Sequence, residues 1–454
     1  MLFSTLLSAL AFTAVASGAA NSPTVKRSVP PGFVTTKGTQ FELDGKPFAF
    51  VGANSYWLPL LVTQNDVEHT FKTMSDAGVK VLRTWGFNAI NGSELAGAKE
   101  SGLTYYQVWN SSSFSLNAGS QGLERLDNVI ETAGKYGIKV ILAFSNNWVG
   151  YGGSDLFIQW MTPESTTHDV FFTNPKIVAA YQSYVRTIVE RYKNSPNIFA
   201  WEMLNEARCS SDTFPSGPSC TPASGAQSLL KWYKEQSDFV RSLDPHHLIT
   251  TGGEGHFFWT NPRTYWFDGQ LVSDYNWNGQ AGEDFDGNLA LPNIDFATYH
   301  MYPQSWYTEL DFPGSNFSIA NWGLEWIDDH INAGNKANKP IVLEEFGLGG
   351  LDNKTQIYPG WVQHALDTKH AYVLFPLRCS VIVLMPCLPL HRGIMPWQFG
   401  VLGLTEDGGN RIIKYADAIN HGASPNDGNT FYSNQTAVWN IFTRAAKIQA
   451  QRSR

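Results

Sequence analysis

Short apolar runs rich in β-branched and aromatic residues recur along this chain, and most are followed by a longer stretch with helical periodicity. The runs cover residues 48–57, 79–85, 139–144, 198–205, 248–252, 295–300 and 340–345, and the helical stretches cover 65–77, 123–136, 175–193, 227–243, 321–333 and 355–368. Near-continuous apolar runs suit strands buried on both faces, as in a parallel sheet. Strand–helix alternation repeated seven or eight times within 454 residues predicts an α/β chain folded as a single (β/α)8 TIM barrel. A doubly wound sheet is the alternative. It is disfavoured because no Gly-x-Gly-x-x-Gly follows the first run.

A barrel of this kind carries its site at the C-terminal ends of the strands. The polar residues expected there are Asn54, Tyr56, Arg83, Trp85, Asn146, Asn147, Trp148, Asn205, Glu206, Glu254, His300, Tyr302 and Glu345. Scaffolding alone does not require a polar group at nearly every strand exit. Two of the runs, Trp201-Glu202-Met203-Leu204-Asn205-Glu206 and Ile341-Val342-Leu343-Glu344-Glu345-Phe346-Gly347, end in glutamate. A carboxylate is costly to bury unless it is paired or used, and two carboxyls over one site are the equipment for cleaving a glycosidic bond. The 16 Trp residues fit a cleft that stacks sugar rings, although large barrels also bury many aromatics. A net charge of −8 argues against nucleic acid and anionic membranes as partners. There is no His-Glu-x-x-His and no zinc-spaced Cys/His cluster, so no metal or cofactor is expected. The stretch 270–293 reads as a long loop, either a cleft wall or a plain surface insertion, and Glu254 as either a cleft-rim group or a strand end.

The N-terminus holds an apolar run over 6–15 followed by small residues. This pattern predicts a signal peptide over 1–19, a propeptide ending at Lys26-Arg27, and a secreted, extracellular mature domain over 28–454. Asn-x-Ser/Thr acceptors at Asn91, Asn110, Asn316, Asn353 and Asn434 fit export and N-glycosylation. Cys209 and Cys220 bracket a loop rich in Ser, Pro and Gly and are expected to form a disulfide. No Pro-, Ser- or Thr-rich linker joins an extra module, so one catalytic domain and a monomer are expected. One stretch does not fit. Residues 372–390 are apolar, contain Pro376, Pro386 and Pro389, and have neither helical nor strand period. The expectation is an insertion foreign to the fold near 371–392, such as translated intron; a loop closed by a Cys379–Cys387 disulfide is the alternative. The eighth strand exit is then expected within 393–400.

Four motifs occur in an informative order: Leu82-Arg83-Thr84-Trp85-Gly86-Phe87, Trp201-Glu202-Met203-Leu204-Asn205-Glu206-Ala207-Arg208-Cys209, Asp295-Phe296-Ala297-Thr298-Tyr299-His300-Met301-Tyr302-Pro303, and Leu343-Glu344-Glu345-Phe346-Gly347. Together they resemble the fungal secreted endo-β-1,4-mannanases of glycoside hydrolase family 5, from about residue 31 to the C-terminus. The resemblance implies a retaining (β/α)8 hydrolase of β-mannan, galactomannan and glucomannan. It implies that Glu206 is the acid/base and Glu345 the nucleophile, with Arg83 keeping Glu345 ionised. Asn205 would bind the sugar 2-hydroxyl, and His300 and Tyr302 would order the two carboxylates. Trp397 would floor the subsite at the cleaved bond and Trp85 would contact sugar. By strand alternation, Glu344 is expected to point away from Glu345. An endo-β-1,4-glucanase and a non-catalytic sugar-binding protein are the alternatives.

Overall fold

The computed structural model describes residues 29–165, 167–208, 222–307, 309–312, 314–367, 391–406 and 419–453. Among them, eight strands form one parallel sheet: β1 Phe50–Asn54, β2 Val81–Trp85, β3 Lys139–Ala143, β4 Ile198–Glu202, β5 Leu248–Thr250, β6 Ala297–Met301, β7 Ile341–Phe346 and β8 His391–Ile394. Their order is β5-β4-β3-β2-β1-β8-β7-β6, with every neighbouring pair parallel. The remaining seam, β5 to β6, has no ladder of its own. It is crossed by the Asp295 N–H donating to Ile249 O (2.9 Å), Thr250 Oγ1 to Phe296 O (3.1 Å) and His300 N–H to Glu254 O (3.1 Å). The sheet is therefore a nearly closed barrel.

Each strand is followed by a helix: α1 Gln64–Asp76, α2 Leu123–Lys135, α3 Pro175–Tyr192, α4 Pro222–Leu243, α5 Phe285–Ala290, α6 Ile319–Ala337, α7 Leu351–Asp367 and α8 Thr436–Arg452. Local sequence sets several of their ends. Thr63 caps α1 by accepting from Asp66 N–H, and Asn174 caps α3 ahead of Pro175. Asn338, left-handed at φ 54°, ends α6. The expected barrel is thus present. Sequence periodicity places seven strands and six helices within a few residues, except that α4 begins five residues before the expected 227, where Ser and Gly weaken the helical pattern. Two of these eight helices, α5 and α8, were not anticipated. The stretch 270–293 read as a loop opens with the second strand of the hairpin Thr264–Phe267/Gln270–Ser273 and contains α5. Directly after α8, Ser453 Oγ bonds the backbone N–H and carbonyl of Ala49, the residue before β1.

The two ends of the barrel differ in polarity. A small antiparallel sheet, Val34–Lys37, Gln40–Leu43 and Lys46–Phe48, covers the N-terminal end. Its Phe41 is fully buried, with ring centroids 5.1 Å from Phe199, 5.2 Å from Phe296 and 6.1 Å from Phe50. The C-terminal end is polar. No helix among the described residues is long and apolar enough to cross a membrane. The signal peptide, the Cys209–Cys220 pair and most of the anomalous stretch 371–392 lie outside the described residues, but His391 and Arg392 at its end belong to β8, where His391 pairs with Ile341, so the expected insertion does not extend that far. The same strand pairs Gly393 with Val342 and Phe50.

Because Phe41 plugs the barrel without approaching its polar end, Phe41→Ala is expected to lower unfolding stability by about 3–5 kcal/mol. Below the new melting transition the polar end should be unaffected. Denaturant titration beside an activity assay at low temperature checks both.

Candidate active site

Arg83, on β2, is the hub of the polar end and is only 1% exposed. Its Nε and Nη2 donate to the two oxygens of Glu202 at 2.7 Å each, a bidentate pair linking β2 to β4. Nη2 also donates to Asn205 Oδ1 (2.6 Å), and Nη1 donates to Asn54 Oδ1 (3.2 Å) and to Glu345 Oε1. The guanidinium lies 4.9 Å from the centroid of the Trp85 ring. Burial opposes the charge on Arg83, but Glu202, Glu344 and Glu345 outweigh it and keep the group firmly cationic. Gly252 makes room for this pair: it has φ +78°, and a Cβ there would lie 2.5 Å from Glu202 Oε1.

Glu206 follows β4 with a left-handed backbone, φ +54°, and its N–H donates to Gly252 O at 2.7 Å. Trp148 Nε1 donates to its Oε2 (2.5 Å), and His300 Nδ1 lies 2.8 Å from its Oε1. Glu345, on β7, receives Tyr302 OH on Oε2 at 2.6 Å and the Arg83 guanidinium on Oε1. His300 Nδ1 is also 3.5 Å from Glu345 Oε2, so one imidazole edge spans both carboxylates. Carboxylate oxygens of Glu206 and Glu345 lie within 4.8 Å of each other and of a His300 nitrogen. This is also the one set of three His, Cys, Asp or Glu side chains among the described residues close enough to share an ion, and each of its carboxylates is already held by Trp148, Tyr302 or Arg83. Burial pushes the Glu345 carboxyl above the ordinary glutamate range. His300 and Arg83 pull it back, Glu206 pushes it up, and the Tyr302 hydroxyl pulls it down. Arg83 thus acts in the expected direction but does not outweigh burial.

These groups open into a cleft of about 750 Å³. On one side Trp397 stacks on Tyr56, with centroids 5.5 Å apart and planes 11° apart, while its Nε1 donates to Asp427 Oδ2 (2.5 Å). Trp85 lines the same side. The cleft is also lined by Trp148, Tyr275, Trp306 and the pair Arg208–Glu254, joined by Arg208 Nη2 to Glu254 Oε1 at 2.6 Å. Arg208 in turn lies over the Trp148 ring, 5.4 Å from its centroid. Glu254 is therefore a cleft group, and Tyr275 makes part of 270–293 a cleft wall. Asn205 is fixed at both ends of its amide, accepting from Arg83 and donating to Asn146 Oδ1 (2.8 Å), with a second N–H left for a ligand. A sequence model of glycoside hydrolase family 5, β-mannosidase-like, matches residues 31–372.

The chain belongs to this glycoside hydrolase family. A probable mannan endo-1,4-beta-mannosidase C of Aspergillus terreus is 36% identical over 77% of the chain and 84% of its own length. A mannan endo-1,4-beta-mannosidase A of Aspergillus aculeatus is 32% identical over 99% of the chain and all of its own. In three dimensions the chain superposes on the endo-1,4-beta-mannanase of Rhizomucor miehei with a TM-score of 0.71 and 30% identity, covering 92% of this chain and 99% of that one.

All eight residues singled out for the site, Arg83, Trp85, Asn205, Glu206, His300, Tyr302, Glu345 and Trp397, converge at this end of the family 5 barrel: six line the cleft, and Arg83 and His300 are hydrogen-bonded to those that do. One expectation is overturned. Glu344 does not point away from the site: it lies 3.5 Å from Arg83 Nε and 3.6 Å from His300 Nε2. The reason is a bulge. Tyr299 pairs with Leu343 but His300 pairs with Glu345, so the two-residue alternation fails at Glu344. Sequence reading also missed Glu202, Arg208 and Asp427. Arg208 stands two residues after Glu206 and was within reach; Asp427 belongs to a remote loop with no periodic signal.

Tyr302→Phe removes a hydrogen bond worth about 1.5–3 kcal/mol to the charged form of Glu345. With that anion less stabilised the carboxyl titrates at still higher pH, so the acid limb of kcat/KM should move upward while the fold is kept. A pH profile in which the limb stays in place would remove Tyr302 from this role.

Proposed function

We propose that the protein is a retaining endo-β-1,4-mannanase acting on mannan, galactomannan and glucomannan. The observation that carries this reading is the pairing of Glu206 and Glu345 across an open cleft, with oxygens within 4.8 Å. A separation of about 5–5.5 Å suits direct attack by one carboxylate, whereas inverting enzymes leave roughly 6.5–9.5 Å for a water. The names of the relatives supply the sugar, since protein geometry alone does not distinguish an axial from an equatorial 2-hydroxyl.

In this reading Glu345 attacks the anomeric carbon as the bond to the leaving oxygen breaks, and Glu206 transfers its proton to that oxygen. The product is a glycosyl ester on Glu345. Glu206, now anionic, takes a proton from water; the hydroxide so formed displaces Glu345 and restores both groups. Arg83 and Tyr302 hold the two oxygens of Glu345, and Trp148 and His300 those of Glu206. Each carboxylate therefore meets the substrate already oriented. Trp397, backed by Tyr56 and tethered to Asp427, offers a flat apolar face to the sugar, and Trp85 flanks it. The spare N–H of Asn205 suits a sugar hydroxyl.

We also propose export, with cleavage after the signal peptide, a Cys209–Cys220 disulfide and action as a monomer. Of the acceptors, Asn110, Asn316 and Asn434 are exposed, whereas Asn91 and Asn353 are half-buried and bonded within their own turns. Glycopeptide mass spectrometry on protein from a eukaryotic host should find Asn110 and Asn434 occupied; bare asparagines at both would reject the glycosylation reading.

Reducing-sugar release from galactomannan should exceed that from carboxymethyl-cellulose and xylan. Glu345→Ala should lose at least about 10³-fold in kcat. Preference for cellulose would make the enzyme a glucanase, and undiminished turnover in Glu345→Ala would remove Glu345 as nucleophile.

A further inference from the structure

The reaction just described leaves one buried acid unused. Glu344 is fully buried, and neither of its carboxyl oxygens accepts a hydrogen bond among the described residues. The Asn54 amide donates to its backbone carbonyl (2.8 Å), which holds the bulge in place without touching the acid. Its Oε2 faces Arg83 Nε at 3.5 Å, but that N–H is directed at Glu202 at 2.7 Å. The same Oε2 faces His300 Nε2 at 3.6 Å, and Nε2 likewise has no hydrogen-bond partner among the described residues. On the other edge of the ring, Nδ1 lies 2.8 Å from Glu206 Oε1.

A neutral imidazole that donates from Nδ1 presents a lone pair at Nε2. Here that lone pair would face a buried carboxylate, an arrangement that repels unless a proton lies between the two. We propose that Glu344 is a positioning residue that holds a proton on Nε2 of His300, so that the ring is an imidazolium whose buried counter-ion is Glu344. The proposal rests on Glu206 and Glu345 being the reacting carboxyls. With both nitrogens protonated, Nδ1–H stays directed at Glu206 when that carboxyl becomes anionic, after its proton has gone to the leaving oxygen. The ring charge 3.5 Å from Glu345 Oε2 also steadies that carboxylate before attack.

The charged surroundings agree. Facing His300 are Glu202 and Glu206 from β4 and its exit and Glu344 and Glu345 from β7; Arg83 from β2 shares Glu344 and Glu345 with the ring, and the hydroxyl of Tyr302 shares Glu345. The loop after β5 presents the backbone oxygen of Glu254, and α6 presents Trp326 Nε1, which donates to His300 O. Three of these carboxyls, Glu202, Glu344 and Glu345, act on the single guanidinium of Arg83, and a second cation at His300 reduces the imbalance. Burial works against a charged ring, while Glu345, Glu206 and Glu344 together raise its proton affinity well above that of an ordinary histidine.

The test is ¹⁵N NMR of protein labelled at histidine, with the His300 signals assigned by difference against His300→Asn. In the wild type at pH 7.5 both ring nitrogens of His300 should be protonated. In Glu344→Gln, which keeps the shape and removes the charge, Nε2 should lose its proton at a pH lower by one unit or more. Glu344→Asp, with its charge one methylene farther away, should fall between them and serves if the Gln variant does not fold. Turnover of galactomannan by Glu344→Gln should drop most steeply on the alkaline side, whereas a purely structural role would lower it equally at every pH. A neutral His300 in the wild type, or the same titration in the variants, overturns the proposal. Failure of the mannanase reading would leave these signals as expected while galactomannan went uncleaved, so the two failures are distinguishable.

Discussion

The buried guanidinium of Arg83 holds the polar end of this barrel together. It pairs with Glu202 on β4, reaches Glu345 on β7, and is joined by Asn54 of β1 and Asn205 at the exit of β4. A buried charge with one partner removed costs about 3–5 kcal/mol, so no member of this cluster can be lost without leaving another stranded. The consequence is geometric: side chains from three other strands converge on one planar fork and are held at fixed angles to each other. The two reacting carboxyls inherit that order, Glu345 directly and Glu206 through His300.

The barrel makes such a cluster tolerable by separating its two tasks. The N-terminal end is closed by Phe41 and its aromatic neighbours and supplies hydrophobic stabilisation. The C-terminal end is then free to carry a cluster of acids, a left-handed backbone at Glu206 and a bulge at Glu344, features that an apolar scaffold would otherwise exclude. The unpartnered oxygens of Glu344 belong to the same logic: a group left without hydrogen bonds in the interior is more readily understood as a charge device than as a packing element.

Much of this was legible in the sequence. Strand periodicity located β1 to β7, and the rule that barrel sites lie at strand exits picked out Arg83, Asn205, Glu206, His300, Tyr302 and Glu345 as one group. What escaped has a physical cause in each case. α5 is six residues long, too short to show a helical period. Glu202 sits inside an apolar strand, where a single acid looks like part of the run. Asp427 reaches the site only because its loop folds back onto Trp397. Glu344 was misread because the two-residue alternation of a strand holds only while its ladder keeps register.

The sequence by itself determined the architecture and the chemistry on offer. Period and composition are local properties, and the residue types at strand ends are fixed whatever the chain does afterwards. Only the tertiary structure decided how those groups share charge. It set which carboxylate takes the bidentate face of Arg83, and brought Glu206 and Glu345 to within 4.8 Å. It also turned Glu344 inward toward His300. Those outcomes depend on barrel closure and on a one-residue slip between β6 and β7, and electrostatic coupling falls off over a few ångströms, a scale that sequence spacing does not resolve.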